Sequence, residues 1–155
     1  MLALVGIGPG DEVIVPATSF PTTVAPILQN RLIPVFIDCT AGDYNPDPEQ
    51  IRAAVSPQTR ALMFAHTLGN PADMDTIMPI AREHDLIVVS DEIYARLTYG
   101  NHSAQPVAAL PGMMERTFTL SGLSKAYAMT GWRVGYFAGP SDLMPALAEI
   151  HHAFA

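Results

Sequence analysis

A few side chains in the second half of this sequence could do chemistry together. Lys125 and Arg133 lie in the stretch SGLSKAYAMTGWRVGY (residues 121–136), where Ser121, Gly122 and Ser124 frame the lysine, in a chain with only eight Lys and Arg residues. A lysine desolvated in a strand-to-loop site loses its proton more readily, and its free amine can attack a carbonyl to form a Schiff base. An arginine beside serine hydroxyls is a phosphate clamp. Asp91 follows four apolar residues and Ser90, at the end of a buried run where a bare carboxylate is costly and could hold a ligand nitrogen in its protonated form. Each residue also has an ordinary reading. A lone lysine is most often a solvated cation, and a strand-end aspartate most often caps a helix or pairs with an arginine.

An aldehyde for the lysine, a ring nitrogen for the aspartate and a phosphate for the arginine coincide in one cofactor, pyridoxal 5'-phosphate (PLP). The surrounding elements are those that would position it. EVIVP (12–16), IPVFID (33–38), RALMFAH (60–66) and LIVVSDE (86–92) are near-continuous apolar runs, the pattern of strands buried on both faces. TTVAPILQN, DPEQIRAAV and MDTIMPIAREHD between them have helical spacing, the second with Asp47 as N-cap and Pro48 at the first helical position. RTFTLSG (116–122) and RVGYFAGP (133–140) add two strands, and a final helix starts near Asp142 and Pro145. This alternation predicts a three-layer α/β domain with a mostly parallel sheet covered on both faces. Ligands of such sheets bind beyond the carboxyl ends of the strands. Those ends are Ser19 and Phe20, His66 to Asn70, Asp91 to Tyr94, and Ser121 to Lys125, with Arg133 beside them.

On these motifs, SGLSKAYAMTGWRVGY and SDEIYARLTYG together closely resemble the class I/II aminotransferases of fold type I. The resemblance implies transamination between an amino acid and a 2-oxo acid. Lys125 would be the Schiff-base lysine and proton shuttle, and Asp91 the partner of the pyridinium nitrogen. Tyr94, and Asn70 of GNP, would hydrogen-bond the cofactor's phenolic oxygen, while Phe20 of PATSFP would stack on the ring. Arg133 would clamp the phosphate with Ser121 or Ser124. Many relatives carry a serine three residues before the lysine; this chain has Gly122 there.

The first half differs. GDEVIVPATSFPTTVAPILQNRLIPVFID and AHTLGNPADMDTIMPIAREHDL resemble the DegT-like sugar aminotransferases and the related sugar 3-dehydratases, and the NPTG of class I enzymes is absent. The two resemblances meet near Val88 to Asp91, as in an unusual natural sequence or a chimera. A dehydratase of that branch is expected to carry histidine where Lys125 stands. Together they imply that residues 1–155 are a truncated PLP-binding large domain, without the N-terminal arm, the phosphate loop expected upstream of Met1, and the C-terminal small domain. The complete enzyme is expected to be a homodimer. A non-catalytic, truncated or engineered scaffold is the remaining alternative.

Composition sets limits on the other readings. The chain is 49% apolar, so a packed core is expected, and its net charge of −7 argues against a nucleic-acid surface. No apolar run approaches the roughly 18 residues of a membrane span, and the start lacks a basic leader. The single Cys39 suits a reducing compartment, so a cytoplasmic location is expected, with Cys39 as a small buried hydrophobe. No Cys, Asp or Glu stands at zinc-ligand spacing from His84, His151 or His152, so no metal is expected. GIGPG precedes a strand instead of following one, which fails the dinucleotide-binding context. His66 reads as a satisfied, semi-buried histidine, Met74, Ile77 and Met78 as a core-facing helical stripe, and Trp132 as a side chain packed beside Arg133.

Overall fold

A computed structural model describes residues 5–101 and 103–154. Six strands, β1 (Glu12–Pro16), β2 (Ile33–Ile37), β3 (Thr59–Ala65), β4 (Ile87–Asp91), β5 (Thr117–Gly122) and β6 (Gly135–Ala138), form one sheet in the order β2-β1-β3-β4-β5-β6. The first five are mutually parallel and β6 runs antiparallel to β5. Helices α1 (Pro21–Gln29), α2 (Pro48–Ala54) and α3 (Met74–Glu83) are the crossovers between the first four strands, and α4 (Met144–Phe154) follows β6.

Strand alternation divides the core into two layers. Val13, Val15 and Ala61 pack on one face with Ile27 of α1, while Ile14, Leu62, Phe64 and Val88 pack on the other with Ile51 of α2 and Ile77, Met78 and Ile80 of α3. Ile27, Ile77 and Ile80 are fully buried, each contributing about 1.5–3 kcal/mol of apolar transfer free energy. The expected three-layer α/β architecture and the α3 stripe of Ile77 and Met78 are thus observed. The N-termini of α2 and α3 are fixed locally: Asp47 accepts from Glu49 N–H, and Asp73 from Thr76 N–H at 3.2 Å.

Three expectations need correction. β2 is an edge strand, so it is not buried on both faces: Ile33 and Phe36 are 47% and 54% exposed. Trp132 is not packed away, being 73% exposed. Cys39 lies just past β2 in an isolated bridge to Pro46 and is only partly buried.

Two glycines fix how β6 and its approach sit on the sheet. A Cβ at Gly139 would lie 2.5 Å from the Phe118 ring, and one at Gly122 would lie 2.9 Å from the Val134 carbonyl oxygen and 3.1 Å from Gly135 Cα. Since the two nearest neighbours of Gly122 are backbone atoms, a serine cannot stand there unless β5 and the segment entering β6 move apart. The sheet also has its topological switch between β1 and β3, where successive crossovers leave toward opposite faces. The crevice at the carboxyl ends of these strands is flanked by the Ala17–Phe20 loop and the loop that carries Asn70.

Candidate active site

Phe20 is set by its neighbour. Pro21 opens α1, and the residue before a proline is driven to extended backbone; Phe20 has φ −78° and ψ 144° and leaves its ring 72% exposed at the helix start. Asp91 ends β4, opposite Ala65 of β3 and Leu120 of β5. It lines a small cavity of about 190 Å³ with Thr22, Thr23, Val89 and Leu120, on the α1 side of the sheet. Its Oδ1 accepts Ile93 N–H at 3.1 Å. Burial pushes the Asp91 carboxyl above its usual range, and the Ile93 N–H pulls it partly back. Among the described residues no arginine or lysine forms an ion pair with it, so the charge of Asp91 has no cationic partner.

Tyr94 is half-buried in the turn that follows β4. Lys125 Nζ lies 5.5 Å from the centre of its ring, a cation–π contact. Gly69, with φ +89°, lets the 67–70 turn approach closely: a Cβ there would touch Tyr94 Cβ at 3.5 Å. One edge of the sheet therefore carries Asp91, Tyr94 and Lys125, with the Asn70 turn against Tyr94. Lys125 itself is exposed, not held in the low-polarity setting that its frame of small residues suggested.

The expected phosphate clamp is not assembled. Arg133 sits in left-handed backbone with φ +53°, exposed, and its Nη1 donates to Thr130 O at 3.3 Å. Ser121 Oγ donates to Glu92 O at 3.3 Å, and Ser124 is half-buried in the turn before Lys125. Asn70 Nδ2 donates to Asp43 O at 3.2 Å. Each of these side chains has to turn from a backbone carbonyl, or reach past its present position, to hold a ligand.

Sequence reading missed a second polar group on the opposite face. Ser90 and Glu92 are buried there beside His66, with Ser90 Oγ 3.3 Å from His66 Nε2 and 3.2 Å from Glu92 Oε1. The available signal was Ser90 itself, a polar residue within the buried run of β4. His66 and Glu92 border a larger cavity of about 640 Å³, shared with Asn70, Asp73, Tyr99 and Gln105. No described helix is long and apolar enough to cross a membrane.

Known proteins resemble this chain in sequence and fold. YugH of Bacillus subtilis, an aminotransferase by name, is 40% identical over 153 residues, covering 94% of this chain and 39% of its own. The dTDP-4-dehydro-2,6-dideoxy-D-glucose 3-dehydratase of Saccharopolyspora spinosa is 57% identical over 83 residues, 54% of this chain and 18% of its own. A Thermus thermophilus aspartate aminotransferase structure superposes with a TM-score of 0.79 at 33% identity, over 96% of this chain and 41% of that one. The chain thus spans about two fifths or less of the proteins it matches. The DegT/DnrJ/EryC1/StrS aminotransferase family model matches residues 1–102. Aminotransferases of this kind are PLP-dependent enzymes of one fold, and the chain belongs to the DegT/DnrJ/EryC1/StrS aminotransferase family.

Proposed function

We propose that this chain is the cofactor-binding large domain of a PLP-dependent enzyme that transfers an amino group between an amino acid and a 2-oxo acid. The observation that carries the reading is the placement of Lys125 Nζ over Tyr94 on the sheet edge that ends in Asp91, whose partly buried carboxylate has no ion-pair partner among the described residues. A protonated ring nitrogen would supply that cation, so the residues present fit the cofactor. When bound, PLP contributes an aldehyde for an amine and an electron-withdrawing ring.

The chain's own residues would then divide the work. Asp91 holds the proton on the ring nitrogen, and Phe20, exposed beside the α1 N-terminus, covers a ring face. Tyr94 and Asn70 hydrogen-bond the phenolic oxygen. Lys125 is the amine that attaches the cofactor and moves a proton at the substrate carbon. Arg133, Ser121 and Ser124 turn from their present positions onto the phosphate. A homodimer in the cytoplasm is part of the same proposal, as is a seam near Val88 to Asp91 where two branches of the fold are joined.

A second reading, amination of a keto-sugar nucleotide, is favoured by the family match over residues 1–102 and by the 57% identity to a sugar 3-dehydratase. Lys125 sets the chain apart from the histidine expected in a dehydratase. The test is PLP titration followed by borohydride reduction and peptide mapping, with Lys125→Ala as control. Cofactor mass on the Lys125 peptide is expected. No attachment, or attachment unchanged in Lys125→Ala, would leave only the scaffold. In the attached protein, cofactor conversion by amino acids against conversion by amino sugar nucleotides then separates the two readings.

A further inference from the structure

On the face of the sheet opposite Asp91, polar groups follow one another in a line. Ala72 N–H donates to His66 Nδ1 at 3.1 Å. His66 Nε2 lies 3.3 Å from Ser90 Oγ, Ser90 Oγ reaches Glu92 Oε1 at 3.2 Å, and Val107 N–H donates to the same Oε1 at 2.9 Å. His66, Ser90 and Glu92 are 9%, 0% and 5% exposed, so most of their polar surface is turned to one another.

The donors fix the proton positions along the line. Nδ1 accepts, so the single proton of a neutral imidazole sits on Nε2 and points at Ser90 Oγ. The Ser90 hydroxyl proton is then committed to Glu92 Oε1. That oxygen takes two donors and carries no proton itself. Every link has one direction, and a proton added at Nδ1 would face the Ala72 N–H and break the first link. Burial, which lowers the His66 pKa, opposes that addition.

The line joins segments distant in sequence. His66 caps β3, Ser90 and Glu92 stand at the end of β4, Ala72 lies in the loop that carries Asn70, and Val107 opens the short helical turn before β5. Glu92 is also bound through its backbone: its N–H donates to Leu120 O at 2.8 Å, and its carbonyl accepts Ser121 Oγ. Glu92 directly follows Asp91, and His66 N–H donates to Asp91 O at 3.2 Å.

We propose that His66, Ser90 and Glu92 form a one-directional hydrogen-bond chain that positions the cofactor-binding edge, holding the Asn70 loop and the Asp91–Glu92 peptide in register from the opposite face of the sheet. These are positioning residues. The proposal rests on the cofactor-binding reading for its purpose and on the hydrogen-bond directions for its existence.

Two measurements on the cofactor-free protein test the chain itself. Long-range proton–nitrogen correlation of the His66 ring is expected to show the proton on Nε2; a proton on Nδ1 overturns the proposal without any variant having to fold. In His66→Phe and Ser90→Ala, amide exchange at Asn70, Ala72 and Val107 should rise about tenfold or more, with Val13 and Val15 unchanged. Uniform acceleration or no change overturns it. PLP titration then tests the purpose: about tenfold weaker binding in His66→Phe is expected, with part of the loss recovered in His66→Gln, which restores a donor toward Ser90. Unchanged PLP affinity in His66→Phe overturns the positioning role. Failure of the wild type to take PLP refutes the functional reading instead, while the tautomer and exchange results still decide whether the chain exists.

Discussion

Asp91→Asn should move affinity and stability in opposite directions. The carboxylate is partly buried without an ion-pair partner among the described residues, and burial has already raised its pKa. In the cofactor-free domain its charge is therefore a cost, which asparagine removes while its Oδ1 can still accept the Ile93 N–H that Asp91 now holds at 3.1 Å. Unfolding stability of the free protein should stay level or rise slightly. With PLP the sign reverses, because a charge-assisted hydrogen bond to a protonated ring nitrogen is worth about 1.5–3 kcal/mol. Its loss corresponds to about 10- to 150-fold weaker binding. Urea denaturation without cofactor and absorbance titration with PLP measure the two quantities on one preparation. A variant that loses stability and affinity together would refute the reasoning, since it would make Asp91 a structural cap.

Other perturbations separate packing from chemistry. Gly122→Ser is expected to cost about 1–3 kcal/mol in urea denaturation, because the new Cβ meets the Val134 carbonyl at 2.9 Å and backbone must yield. Ile77→Ala, which empties a fully buried site in α3, should cost about 2–5 kcal/mol by the same measurement. Lys125→Ala should abolish covalent cofactor attachment and leave the thermal midpoint unchanged, since the side chain is exposed. For pH, His66 has a folded-state pKa below its ordinary 6.5. The unfolded chain binds that proton first, so His66 favours the fold above 6.5 and withdraws stability as pH falls through 6.5 toward the lowered value. Asp91 and Glu92, raised from 3.8 and 4.5, act oppositely and restore stability on acidification. Stability profiles of wild type and His66→Gln should differ by the histidine contribution; parallel profiles would contradict it.

The parts of the fold set by local periodicity could be read from the sequence. Four apolar runs and the helical stripes between them correspond to strands and crossovers, and Asp47 with Pro48 marks the α2 start it was expected to mark. What depends on neighbours distant in sequence could not be read. Ile33 and Phe36 look like core residues until sheet order leaves β2 with a strand on one side only. The exposure of Lys125 and Trp132 depends on what packs over the 123–134 segment, which residue type does not encode. The Asp91, Tyr94 and Lys125 grouping followed from strand ends meeting at one edge, but Arg133, Ser121 and Asn70 are turned by the particular carbonyls beside them. Ser90 and His66 are 24 residues apart, and their alignment is a property of β3–β4 register.

The strand order also constrains how the domain reaches its native state. β1 is the earliest strand among the described residues, yet it lies between β2 and β3 and cannot fill both hydrogen-bonding sides until each crossover helix has been traversed. Parallel pairings of this kind close long loops before contacts repay them, which slows folding. Asp91 ends β4 and Lys125 lies in the turn after β5, both added outward from that centre, so the reactive edge should be the last region to become protected in a refolding experiment. Before that time, an early intermediate can have a formed β1–β3 core and no ability to hold a cofactor.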